Sequence, residues 1–116
     1  MKKIYLVILL SLFLGCEAIF VEDISGDTVE ILAPQSNTTI SSGNIDFNWQ
    51  LVSEADSYNI QIATPNFQNA SQILTDSITS GIIYQKNLDA GEYEWRVKAM
   101  NSEYETEYSA ASFTVN

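Results

Sequence analysis

Few side chains in this sequence could do covalent or acid–base chemistry. Cys16 is the single thiol among 116 residues, and histidine is absent. Without histidine there is no Ser-His-Asp triad, no Cys-His pair and no imidazole for a transition metal. Beyond Cys16 the chain has no thiol for a nucleophile, a ligand or a disulfide. Carboxylates and phenols remain. Glu103, Glu105 and Glu107 alternate, so an extended chain would place them on one face, close enough to repel and without neighbouring cations. A paired acid and base is the chemistry such a row could do, a solvated face is the plainer reading, and as part of a partner-binding loop the row could steer a basic partner. Glu22, Asp23 and Asp27 could gather around a hard cation, but they lack the alternating ligands and central glycine of a calcium loop and read as a solvated tether. Tyr104 and Tyr108 interleave with the glutamate row, where an exposed phenol could stack on a sugar or anchor a protein partner. These residues imply no cofactor, no metal and no enzyme.

The segment before Cys16 is of a different kind. Lys2 and Lys3 precede an unbroken apolar and small-residue run from Ile4 to Gly15, the pattern of an export signal. A run of about a dozen residues is too short for a membrane-spanning helix, which needs roughly 20. Its end, Leu12-Phe13-Leu14-Gly15-Cys16, resembles the lipobox of bacterial lipoproteins. That resemblance implies removal of residues 1–15 and acylation of Cys16. Each buried methylene of an acyl chain contributes about 0.8 kcal/mol, so several chains would anchor the protein without any amphipathic helix. Residues 16–27 then read as the lipidated cysteine and a tether, with a turn at Ser25-Gly26-Asp27.

Once Lys2 and Lys3 are removed, three basic residues face fifteen acidic ones, a net charge of 3 − 15 = −12. Such a chain is repelled by nucleic acid and by anionic headgroups, so the membrane is met through the lipid on Cys16. Apolar residues make up 46% of the chain, enough for one packed core.

The tyrosines and glutamates sit on a scaffold that reads as strands. Period-two segments recur between Pro, Gly, Asn, Asp and Ser, the pattern of an all-β sandwich. Val29 to Ala33 is the first, ended by Pro34 and a Gln35-Ser36-Asn37 turn. Ile45, Phe47 and Trp49 share one face of the second, and Tyr58, Ile60 and Ile62 of the third. Gln72 to Thr75 is a weaker strand and Ile82 with Tyr84 a short one. Tyr93, Trp95, Val97 and Ala99 alternate with Glu94, Arg96 and Lys98, and Ala111, Phe113 and Val115 close the chain. The expectation is seven strands within residues 28–116.

Trp49 on the second strand, Tyr58 opening the third and Leu88-Asp89-Ala90-Gly91-Glu92-Tyr93 entering the sixth resemble fibronectin type III domains. The resemblance covers Thr28 to Asn116. It implies a seven-stranded immunoglobulin-like sandwich with Trp49 between the sheets. It also implies a tyrosine corner at Tyr93, with the hydroxyl bonded to backbone near Leu88. Phe20-Val21-Glu22-Asp23-Ile24-Ser25, Ala63-Thr64-Pro65-Asn66-Phe67 and Tyr93-Glu94-Trp95-Arg96-Val97-Lys98-Ala99 are similar to segments of uncharacterised surface lipoproteins of Bacteroidetes-type bacteria. Those relatives imply a cell-envelope location, at an outer membrane, and no activity.

Loops carry function on rigid scaffolds, which singles out Asn101 to Tyr108 between the last two strands. If the pleat of Phe113 and Val115 runs back unbroken, Tyr104 and Tyr108 both point outward; alternatively Tyr108 folds down to cap the sandwich end. Two roles follow: a non-catalytic protein-interaction or spacer module, or a glycan-binding accessory module of an uptake or secretion assembly. A sugar platform needs several exposed aromatics, and parity assigns Trp49, Trp95, Tyr58 and Tyr93 to the core instead.

Overall fold

A computed structural model describes residues 20–116. Cys16 and the export-signal reading lie outside the described residues, as do residues 17–19 of the tether; residues 20–27 of it are described. Eight strands form: β1 (Ile31–Ala33), β2 (Thr38–Ile40), β3 (Gly43–Trp49), β4 (Ser57–Thr64), β5 (Gln72–Thr79), β6 (Ile83–Leu88), β7 (Gly91–Met100) and β8 (Ser109–Val115). They make two sheets, β1-β3-β6 and β2-β8-β7-β4-β5.

The eighth strand is β2, in a stretch the sequence reading passes over. It pairs in parallel with β8, Thr38 opposite Phe113 and Ile40 opposite Val115. Backbone pairing at a sheet edge needs no run of alternating apolar residues, which is why Thr38-Thr39-Ile40 carries little signal. The chain changes sheets at Pro34 to Asn37, where Asn37 takes a left-handed φ of 66° and its N–H donates to the Ser112 carbonyl at 2.8 Å. At the start of β3, Gly43 has a φ of 128°, a conformation that side chains rarely adopt.

Parity places the core correctly. Ile45, Phe47 and Trp49 from one sheet meet Tyr58, Ile60, Ile62, Trp95, Val97 and Phe113 from the other, all buried. Phe47 meets Trp95 edge-on at 5.1 Å between centroids, and Trp49 lies 5.6 Å from Tyr58 and 6.0 Å from Trp95. The Trp95 indole N–H donates to the Pro34 carbonyl at 2.9 Å, and the Val52 N–H donates to the Tyr58 hydroxyl at 2.9 Å. Ile24, read as tether from the sequence, is fully buried among these residues, next to a turn closed by the Asp27 N–H on the Ile24 carbonyl at 2.9 Å. The corner at Tyr93 is formed near Leu88 as the resemblance implies, its hydroxyl donating to the adjacent Asp89 carbonyl at 2.8 Å.

Candidate functional site

The loop between β7 and β8 is built around Asn101. Its side-chain carbonyl accepts the N–H of Tyr104 at 2.8 Å and of Glu103 at 3.1 Å, while its amide donates to the Glu22 carbonyl at 2.8 Å. The buried Thr106 hydroxyl accepts the Ala99 N–H at 3.0 Å. These bonds fold the loop back along β7, so it does not extend the β8 pleat. Tyr104 is therefore partly buried against the core and does not point outward as the unbroken pleat predicts. Glu103, Glu105 and Glu107 are exposed, but Glu105 has a cation beside it, with Lys98 Nζ at 3.1 Å. An open depression of about 570 Å³ is lined by Ser25, Lys98, Glu105, Thr106, Glu107 and Tyr108. In the tether, the Asp23 carboxylate is taken up by the N–H and hydroxyl of Ser25, which hold it below the usual carboxylate range.

Tyr108 neither caps the sandwich end nor stands free. It lies on the outer face of the five-stranded sheet, where strand register assembles a cluster. Ile78, Asn59 and Lys98 lie side by side across β5, β4 and β7, and Asp76, Gln61, Arg96 and Ala110 form the next row. The Tyr108 hydroxyl donates to the side-chain carbonyl of Asn59. The Asn59 amide in turn donates to Asp76 at 3.0 Å and to the Ser77 carbonyl at 3.1 Å. Hydrogen bonding from Asn59, then from Gln61, lowers the Asp76 pKa, with smaller contributions from the charges of Arg96 and Lys98.

At the centre of this face Arg96 is clamped. Its Cζ lies 4.1 Å from the Phe67 ring centroid and 4.4 Å from that of Tyr108, and Lys98 Nζ lies 4.9 Å from the same Tyr108 ring. The Arg96 Nε–H donates to Gln61 Oε1 at 2.7 Å. Phe67 is held over Arg96 by its loop, because its own N–H donates to Glu94 Oε1 at 2.9 Å. Each cation–π contact contributes about 0.5–1 kcal/mol at an exposed site and more where water is excluded.

The alternation of β7 places Arg96 and Lys98 outside the core without singling them out, and nothing in the sequence singles out Asn59 or Gln61. A signal did exist, since Arg96 and Lys98 are two of the three basic residues beyond Lys3. At the β5 edge of the same face Ile73 and Ile78 are 51% and 71% exposed.

Neither family models nor curated proteins match this chain. Solved structures do. The fibronectin(III)-like modules of Clostridium thermocellum CbhA align with a TM-score of 0.55 at 12% identity, covering 77% of this chain and 96% of theirs. FN3tt aligns at 0.55 and 19% identity, over 77% of this chain and 97% of its own. The fibronectin type III domain of human KIAA0970 protein aligns at 0.57 and 13% identity, over 79% and 74%. At these identities the likeness is one of fold.

Proposed function

With the fibronectin type III-like fold as its scaffold, we propose that the chain is a non-catalytic protein-interaction module of the cell envelope, held on an outer membrane through lipid on Cys16. The observation that carries the interaction role is the outer face of the five-stranded sheet. There a clamped arginine, two aromatic rings and two exposed isoleucines share one rigid surface. Arg and aromatic residues are enriched at protein interfaces and among their energetic anchors. The glycan-binding alternative is less well supported, because the rings of Phe67 and Tyr108 already carry cations. Support for the anchor comes from the signal run and the placement of Cys16 at its end. Cys16→Ser tests it: the variant is expected to be released from membranes or to remain an uncleaved precursor. A mature variant that still fractionates as a detergent-extracted membrane protein would remove the anchoring assignment.

A further inference from the structure

The guanidinium of Arg96 is an unusual group for an acidic protein to leave without a carboxylate in contact; Asp76, on the far side of Gln61 in the same row, acts on it only at longer range. It is partly buried, fixed by one bond from Nε to neutral Gln61 and stacked between Phe67 and Tyr108. Among the described residues neither of its terminal nitrogens has a hydrogen-bond partner, and no carboxylate lies within ion-pair distance of it. Lys98, its neighbour on β7, is by contrast neutralised by Glu105. Arg96 is therefore preorganised: its planar fork is held in one orientation before anything binds, so little side-chain entropy remains to be lost.

We propose that Arg96 is the central anchor of a docking site for a protein partner, and that it receives a carboxylate flanked by aliphatic side chains on that partner. This rests on the interaction reading above and names its surface. A carboxylate is the complement that a guanidinium fork binds through two parallel hydrogen bonds. The aliphatic flank follows from Ile78 and Ile73 at the sheet edge, which a partner would cover. Strands lie about 4.8 Å apart, so the row from Asp76 through Gln61 and Arg96 to Ala110 runs across roughly 14 Å, the scale of a macromolecular contact and not of a small acid. The site also explains the bonds around it. Tyr108 is fixed by Asn59 and Phe67 by Glu94, so the two walls of the clamp are set by the sheet and not by the ligand.

The test uses the full chain, tethered through its N-terminal end and panned against a displayed random peptide library. Selected peptides are expected to carry Asp or Glu beside aliphatic residues. Their affinity should fall about tenfold or more with Arg96→Lys, which keeps the charge but loses the fork, and similarly when the peptide acid is changed to its amide. Ile78→Ser, at the exposed edge, should weaken the same peptides, whereas Leu32→Ala on the other sheet should not. Unchanged thermal midpoints for these variants exclude a folding effect; if Arg96→Lys lowers the midpoint, Ile78→Ser and the amide peptide decide. Peptides that bind wild type and the Arg96 and Ile78 variants alike would overturn the site while leaving an interaction module in place. Selection of basic peptides would overturn the partner chemistry. Arg96-dependent binding of oligogalacturonate with no peptide enriched would overturn the partner class. Absence of any binder would count against both the site and the interaction reading.

Discussion

Trp49 and Trp95 are both 0% exposed and lie 6.0 Å apart, yet their indole N–H groups differ: that of Trp95 donates to the Pro34 carbonyl, and that of Trp49 has no partner among the described residues. Replacing each with Phe makes a controlled pair. The loss of ring volume is the same, so the transfer and cavity contributions largely cancel in the comparison. The polar contributions do not cancel. A buried group left without its hydrogen bond costs about 1–3 kcal/mol, a cost that Trp49→Phe removes and that Trp95→Phe creates at the Pro34 carbonyl. Trp95→Phe should therefore be the more destabilising by at least about 2 kcal/mol. In a domain of this size, 1 kcal/mol shifts the thermal midpoint by about 4–8 °C, so the gap is readily measured. Urea titrations followed by far-UV circular dichroism, each fitted to its own variant's folded and unfolded baselines, would give the two values. Equal losses, or a larger loss for Trp49→Phe, would refute the hydrogen-bond assignment and the orientation of both rings.

Burial, with the Asp89 carboxylate second, raises the Tyr93 phenol above its ordinary value of 10.0. The fold favours the neutral phenol, so this contribution is complete below the unfolded value and is lost as pH rises through the folded one. Tyr93→Phe should lower stability by about 0.5–1.5 kcal/mol at neutral pH and flatten the alkaline decline in a pH series of urea midpoints. Asn101→Ala removes the acceptor for the Tyr104 and Glu103 amides and the donor to Glu22. Hydrogen exchange should then accelerate at Glu103 and Tyr104 while the amides of β4 and β7 stay protected; unchanged protection in the loop would contradict its being built on Asn101.

The core was legible because strand parity depends only on local alternation. Ile45, Phe47 and Trp49, like Tyr93, Trp95 and Val97, declare their inward face without any knowledge of their partners. Failures fell where structure depends on a distant partner. Thr38–Ile40 becomes a strand only because the β8 edge is there to receive it. Ile24 looks like one apolar residue in an acidic tether until the sandwich supplies a place to bury it. Tyr104 turns inward because Asn101 and Thr106 redirect the loop, whereas the pleat carries Tyr108 outward as parity predicts. The Arg96 cluster was least legible of all. Its members come from β4, the β4–β5 loop, β5, β7 and the entry to β8, and only the register that sets Gln61 opposite Arg96 and Asp76, and Asn59 opposite Lys98 and Ile78, brings them together.

As the contact surface of an anchored module, the outer face of the five-stranded sheet should be within crosslinking reach of its partner in the cell. Photocrosslinking in cells that produce the full chain addresses it directly, with a benzoylphenylalanine at exposed Ile78 or Ala110 on that face, or at exposed Leu32 on the opposite sheet. One discrete protein adduct is expected, shared by positions 78 and 110, and none from position 32. Adducts from position 32 alone, or no adduct from either outer-face position, would contradict that contact role.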